Sequence, residues 1–294
     1  MSDLPRLRAA ILRWYRAERR AFPWRGTRDP WAVLVSEVML QQTQASRVAE
    51  RFPPFLSRFP TPAAMAAAPE RDVLAAWSGL GYNRRALALR RAAAAVERDG
   101  WPRDVAGLEA LPGVGPYTAR AVAGLAHGEA VGVVDTNVRR WLVRRLGLAP
   151  GAGPRDLQAG ADALAAPAAD AEDAAAWIHA SMEFGARICR SRNPLCDACP
   201  VARGCPSRGR PMRVPVPRHQ PFAGSARQAR GAVIRALAEA GDHTLPEAEL
   251  GASLAVTDLA SVISALERDG LAHRDGPRVR LGPGPFGPAA TIGS

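Results

Sequence analysis

Four cysteines, Cys189, Cys196, Cys199 and Cys205, lie in one short stretch with the spacing Cys-x6-Cys-x2-Cys-x5-Cys, and the 294-residue chain has no others. Clustered thiols in a chain without a secretion signal serve as metal ligands more often than as disulfides. Four thiolates suit either an iron–sulfur cluster or tetrahedral zinc, and spacing alone does not separate the two. Arg187, Arg190, Arg192, Arg203 and Arg208 surround the stretch. A loop folded on a metal would therefore present positive charge in a fixed arrangement suited to phosphates.

Two carboxylates and a glycine pair form a second set. Glu37, in SEVMLQQT at 36–43, interrupts an apolar helical face after Trp31, Val33, Leu34 and Val35, where desolvation would favour the acid form. Asp135, in VDTNV at 134–138, precedes a helix whose start could hold its carboxylate oriented and ionised. LPGVGPYT at 111–118 places Gly113, Val114 and Gly115 in a hairpin between two helical stretches. Its glycines allow a tight turn and bring backbone N–H groups, with the next helix's N-terminus, close to a phosphate. Singly, each feature has a plain alternative: a water-facing glutamate, an N-cap, an ordinary turn. Their combination gives them weight.

The elements that must hold these groups are helical. Leu7, Ile11, Leu12 and Tyr15 recur at helical spacing over 4–20, turn residues occupy 21–30, and 31–47 reads as one largely buried helix. Further helices are expected at 62–68, 71–77, 84–99, 105–110, 117–126 and 136–146. No period-two alternation occurs before the last few dozen residues, so the main body is almost wholly helical and sheet-based nucleotide folds are disfavoured. PMRVPVPRHQP at 211–221 suits an extended linker. Beyond it, helices at 226–240, 246–250 and 258–269, then a hairpin of 271–273 and 278–281 turning at Asp275-Gly276, resemble a winged helix. The glycine- and proline-rich end reads as a disordered tail.

All 39 lysine-plus-arginine positions are arginine, the formal net charge is +11 and the pI is near 11.0. That excess points to a polyanion, although abundant alanine, glycine, proline and arginine also fit a GC-rich genome. No apolar run approaches the ~20 residues that span a bilayer, and the first ten residues lack a signal-peptide pattern. A soluble, cytoplasmic, non-secreted protein is expected. Without lysine, only the N-terminal amine could form a Schiff base.

Taken together, PWR at 23–25, SEVMLQQTQ, GLGY at 79–82, LPGVGPYTA, VDTNV and the cysteine loop resemble the helix–hairpin–helix glycosylases of the endonuclease III superfamily, and among them the MutY-type adenine DNA glycosylases. The resemblance runs from about residue 7 to residue 205. It implies an all-α helix–hairpin–helix glycosylase fold. An N-terminal helix at 1–27 would pack with the cluster module, followed by a six-helix barrel at 28–140, a [4Fe–4S] module at 141–210, a linker at 211–225, a winged-helix-like domain at 226–282 and a tail at 283–294. The four cysteines match the family's cluster ligands, and the target nucleotide would be flipped from double-stranded DNA into a cleft. By the same resemblance Glu37 would protonate adenine N7, and Asp135, supported by Asn137, would stabilise the oxocarbenium-like sugar or bond to it transiently. Tyr117 stands where lyase-active relatives place lysine, which implies base removal without strand nicking. Gln42 and Tyr82 resemble residues inserted into the duplex around the mispair, while Trp24, Arg25, Leu40 and Glu183 resemble residues lining the adenine pocket. A monomer is the default.

Two departures qualify this match. Thr136 follows the aspartate where the family commonly has glycine. The C-terminal stretch does not resemble the Nudix-like domain by which many adenine glycosylases recognise 8-oxoguanine. It could bind DNA backbone, towards which Arg274, Arg278 and Arg280 lean, or be a packing module. Two other functions compete: a thymine or uracil glycosylase acting opposite guanine, and a non-catalytic DNA-binding or regulatory protein. A pyrimidine has no N7 to protonate, so Glu37 favours the purine. Glu37, Asp135 and Asn137 together favour an enzyme.

Overall fold

The structure, a computed structural model, describes residues 4–209, 214, 224–254, 256 and 258–284. Most of the expected linker and tail therefore lies outside the described residues. In chain order the elements are α1 (Leu4–Glu18), α2 (Pro30–Leu40), α3 (Ala45–Arg58), α4 (Pro62–Ala67), α5 (Glu70–Trp77), α6 (Arg84–Asp99), α7 (Val105–Glu109), α8 (Pro116–Leu125), α9 (Thr136–Leu146), α10 (Pro154–Ala165) and α11 (Ala171–Arg187). Then follow α12 (Ala226–Glu239), β1 (Thr244–Pro246), α13 (Glu247–Ser253), α14 (Leu259–Arg268), β2 (Ala272–Asp275) and β3 (Arg278–Leu281). Several helices begin on side chains that accept orphan backbone N–H groups: Thr61 from Ala64 at 3.2 Å, Asp104 from Gly107 at 2.7 Å and Asp170 from Asp173 at 2.8 Å.

The expected single helix over 31–47 is two. α2 stops at Leu40, a turn covers 41–44, and α3 runs on through Pro53 and Pro54. Every residue from Trp31 to Met39 is buried, as a helix apolar on all sides should be.

The chain divides into two compact units, Met1–Glu37 with Pro102–Arg218 and Val38–Trp101 with His219–Ser294. This differs from the expected succession of 28–140 and 141–210. α8 and α9 both pack on α11, because small residues let the backbones approach. A side chain at Gly124 would collide with Ile178, and one at Gly185 would lie 2.6 Å from Asn137 O. In the first unit Ile11, Trp141, Leu142, Leu164, Trp177 and Phe184 form the core. Trp141 meets Trp177 and Phe184 edge-on at 6.3 and 5.7 Å.

In the second unit Phe55 packs edge-on against Trp77 at 5.6 Å, and α12 lies on α5. The strands form one antiparallel sheet in the order β1-β3-β2, with α12 and α14 packed against its strands. β1 was not visible in the sequence.

Candidate active site

Within the first unit three acidic side chains meet. Glu37 comes from the last turns of α2, Tyr117 from the first turn of α8, and Asp135 from the N-cap of α9. Glu37 is 1% exposed, and its Oε2 has no hydrogen-bond partner among the described residues. Burial pushes its carboxyl up to about 7, the nearby Asp135 charge adds to the rise, and a hydrogen bond with Tyr117 opposes it. Burial together with these two carboxylates raises the Tyr117 phenol well above its ordinary value. The phenol hydroxyl lies 3.3 Å from Met182 Sδ. It has one proton for two neighbours: given to the sulfur it is withdrawn from Glu37, and given to Glu37 it favours the ionised carboxyl, which is why that bond opposes the rise.

Asp135 is held as an N-cap. Val138 N–H donates to Oδ1 at 2.6 Å and Asn137 Nδ2 to Oδ2 at 2.8 Å. Burial raises its pKa, and these donors with the Arg140 charge pull it back. Its orientation is therefore fixed more firmly than its acidity. Asn137 is fixed in turn by Arg140, whose Nη2 donates to Asn137 Oδ1 at 3.0 Å and Gly185 O at 2.6 Å. Nothing in the sequence singled out Arg140, Met182 or Gly185. The i+3 step from Asn137 to Arg140 on α9 was the one available signal.

Trp24, Arg25 and Glu183 also belong to this unit, but Glu183 is turned into an ion cluster. Its side chain is fully buried on α11 and accepts from Arg20 N and Nε, both at 3.1 Å, from Arg187 Nη1 at 3.4 Å and from Arg25. Arg25 also donates to Arg20 O at 2.7 Å, and buried Trp24 stacks on Phe22 at 4.7 Å. These contacts fix the PWR segment.

In the hairpin, Gly113 has φ +76° and so uses glycine's left-handed freedom. Gly115 is extended, and an added Cβ would meet nothing within 4 Å. The expectation that both glycines serve the turn holds for Gly113 only, and Gly115 leaves open space at the helix start. Val114 anchors the hairpin, 6% exposed, with its N–H donating to Leu111 O at 3.0 Å.

Leu40, Gln42 and Tyr82 are in the second unit. Gln42 is exposed with φ +55°, and Tyr82 is 42% exposed with φ +48°.

All four cysteines are free thiols lining one hollow with Phe184, Ile188, Pro194, Leu195 and Val201. Among the described residues no three His, Cys, Asp or Glu side chains form a site for a single metal ion. Arg144, 3% exposed, wraps the loop, donating to Arg190 O at 2.6 Å and Ser191 O at 3.2 Å, with Nη1 3.6 Å from Cys189 Sγ. Arg140 Nε donates to Cys189 O at 2.7 Å. Burial pushes Cys199 up to about 11 and Cys189 upwards also. A four-thiol hollow with a buried guanidinium against one sulfur fits a group held by thiolates.

Residues 35–166 match the HhH-GPD superfamily base excision DNA repair protein family. An adenine DNA glycosylase of Mycobacterium tuberculosis is 42% identical over 269 residues, 87% of this chain and 86% of the relative. The chain belongs to the adenine DNA glycosylases of the HhH-GPD superfamily. Another member, from Mycolicibacterium smegmatis, is 43% identical over 80% of each chain. A solved thermostable thymine-DNA glycosylase superimposes with a TM-score of 0.64 at 29% identity, covering 70% of this chain and 96% of that one.

In this glycosylase the three C-terminal arginines singled out from the sequence have acidic neighbours. Arg274 pairs with Glu247 at 3.0 Å and Glu267 at 2.6 Å, Arg280 with Asp275 at 2.7 Å, and Arg278 with Asp242 at 3.5 Å. Among the described residues no helix is long and apolar enough to cross a membrane.

Proposed function

We propose that this protein hydrolyses the N-glycosidic bond of adenine mispaired with 8-oxoguanine or guanine in double-stranded DNA, acting as a monomer in the cytoplasm. The observation that carries this reading is Glu37, a buried carboxyl that titrates near 7 with one oxygen left unpartnered. At neutral pH it carries a proton for much of the time and can give it to a base nitrogen. Transfer to adenine N7 draws electrons from the C1′–N9 bond, which breaks to leave neutral adenine and an electron-poor sugar. Asp135, oriented by Val138 and Asn137, stabilises that sugar until water adds at C1′ and gives up a proton. Two carboxylates with opposite protonation needs suit this division of labour.

Tyr117, hydrogen-bonded to Glu37, cannot form a Schiff base, and the chain has no lysine. The expected product is an abasic site in an unbroken strand. Cys189, Cys196, Cys199 and Cys205 would hold a [4Fe–4S] cluster, which supplies a rigid anchor for the arginine-rich loop. Gly113, Val114 and Gly115 would meet the DNA backbone at the start of α8, with Trp24, Arg25 and Glu183 lining or supporting the base pocket, while on the second unit Gln42 and Tyr82 would enter the duplex.

Purified protein incubated with duplexes containing A:8-oxoguanine, A:G, T:G and U:G, with base release and strand breaks assayed separately, tests this. Adenine release without nicking, lost in Glu37→Gln and Asp135→Asn, is expected. Release of thymine or uracil instead would overturn the substrate, and silence on every duplex would overturn the enzyme.

A further inference from the structure

Four non-glycine described residues have positive φ: Gln42, Tyr82, Asn193 and His243. Side chains with a Cβ rarely adopt that conformation unless the surroundings impose it. Gln42 and Tyr82 share a cause. Gln42 lies in the turn after α2, Tyr82 in the turn before α6, and a single guanidinium sits between the two turns.

That guanidinium belongs to Arg85. Its Nη1 donates to Met39 O at 3.1 Å, to Gln41 O at 2.7 Å and to Val38 O, filling carbonyls that the end of α2 leaves open. Its Nη2 donates to Thr43 Oγ1 at 3.1 Å, Gly81 O at 3.0 Å and Leu80 O at 3.4 Å, and its Nε to Tyr82 O at 3.4 Å. Its carbon lies over the Trp77 and Tyr82 rings at 5.3 and 5.6 Å, and Trp77 Nε1 donates to Gly81 O at 3.2 Å. Thr43 Oγ1 also donates to Leu80 O at 3.3 Å, tying the turns a second time.

The placement works against ordinary electrostatics. Arg85 is in the first turn of α6, where the helix dipole disfavours a cation. Among the described residues no carboxylate pairs with it. A partly buried cation in that position is retained by the carbonyls it organises, and only a planar fork with donors on several edges reaches both turns.

We propose that Arg85 is the positioning residue of the duplex-entering surface, locking both turns so that Gln42 and Tyr82 are preformed before DNA arrives. This rests on the function proposed above. With no rearrangement needed on binding, affinity for the mispair is kept from being spent on ordering two loops. Lysine offers a point charge from one direction and cannot serve both turns.

The test uses the full-length cluster-loaded protein and two A:8-oxoguanine substrates, one fully duplex and one with the target adenine in a short unpaired bubble. Arg85→Lys is expected to weaken duplex binding by at least about tenfold and to slow base release from duplex, while release from the bubble stays within about threefold of wild type. The effects of Arg85→Lys and Tyr82→Ala on duplex binding are expected to be strongly non-additive, because both remove one preformed surface. If Arg85→Lys folds poorly, Thr43→Val, which removes one leg of the bridge, takes its place with a smaller effect of the same pattern. Equal losses on duplex and bubble, additive effects with Tyr82→Ala, or wild-type behaviour of the replacement would overturn the positioning role. Wild-type protein inactive on both substrates would instead refute the glycosylase reading.

Discussion

Replacing Glu37 by glutamine should stabilise the protein at alkaline pH while removing its activity. Glu37 binds its proton more tightly folded, at about 7, than its ordinary value of 4.5 allows unfolded. Below the lower value both states hold the proton. Between the two only the folded state does, and above the higher neither does. The contribution is therefore full in acid and is lost as pH rises through about 7, and a shift of this size corresponds to about 3 kcal/mol. Glutamine stays neutral throughout, so the stability of Glu37→Gln relative to wild type should rise by about that amount from roughly pH 5 to roughly pH 8. Denaturant titrations followed by circular dichroism at several pH values would measure it, each with wild type alongside to cancel every other titrating group. Parallel stability curves for the two proteins, or a difference growing towards acid, would refute the account of Glu37 as a desolvated acid. The same preparations should show base release lost at every pH.

The rate of adenine release under single-turnover conditions should fall as pH rises through about 7, where Glu37 gives up its proton, and fall again in acid as Asp135, raised above 3.8, becomes protonated; a flat profile across neutrality would exclude Glu37 as the acid. Gly185→Ala would force a methyl to within 2.6 Å of Asn137 O, so about 1–3 kcal/mol of stability and most of the base-release rate should be lost together, as read by melting and kinetics. Cys199→Ser should abolish the visible absorbance of an iron–sulfur cluster and open the 189–208 loop to proteolysis, with loss of DNA affinity in the same preparation.

Where local chemistry set the structure, the sequence was enough. Arg84–Asp99 and Thr136–Leu146 have the bounds expected, because apolar spacing and a terminal glycine or aspartate cap define them. The break at 41–44 was hidden, since the carbonyls freed at the end of α2 are satisfied by Arg85, forty-odd residues away. α3 was not expected beyond residue 47, and it carries Pro53 and Pro54, which ordinarily break a helix. β1 is three residues long and exists through pairing with β3. In the candidate site, Glu37 stood out as a charge among apolar neighbours and Asp135 as a cap. Their modifiers Met182, Arg140 and Gly185 could not, because each acts across a packing contact that only the fold creates.

The arginine excess divides by partner rather than by position in the chain. Arg274, Arg278 and Arg280 face carboxylates within the C-terminal module, the Arg274 pairs being the least exposed of the set. Arg85, Arg140, Arg144 and Arg190 donate chiefly to backbone carbonyls, and with Arg140 and Arg144 buried these two guanidinia hold loops in shape rather than present charge at the surface. Fixed, uncancelled charge is what attracts and registers a phosphate backbone. A net charge of +11 therefore sets the sign of the field, while the acceptor facing each arginine decides whether its charge is offset, used to hold a loop or left at the surface.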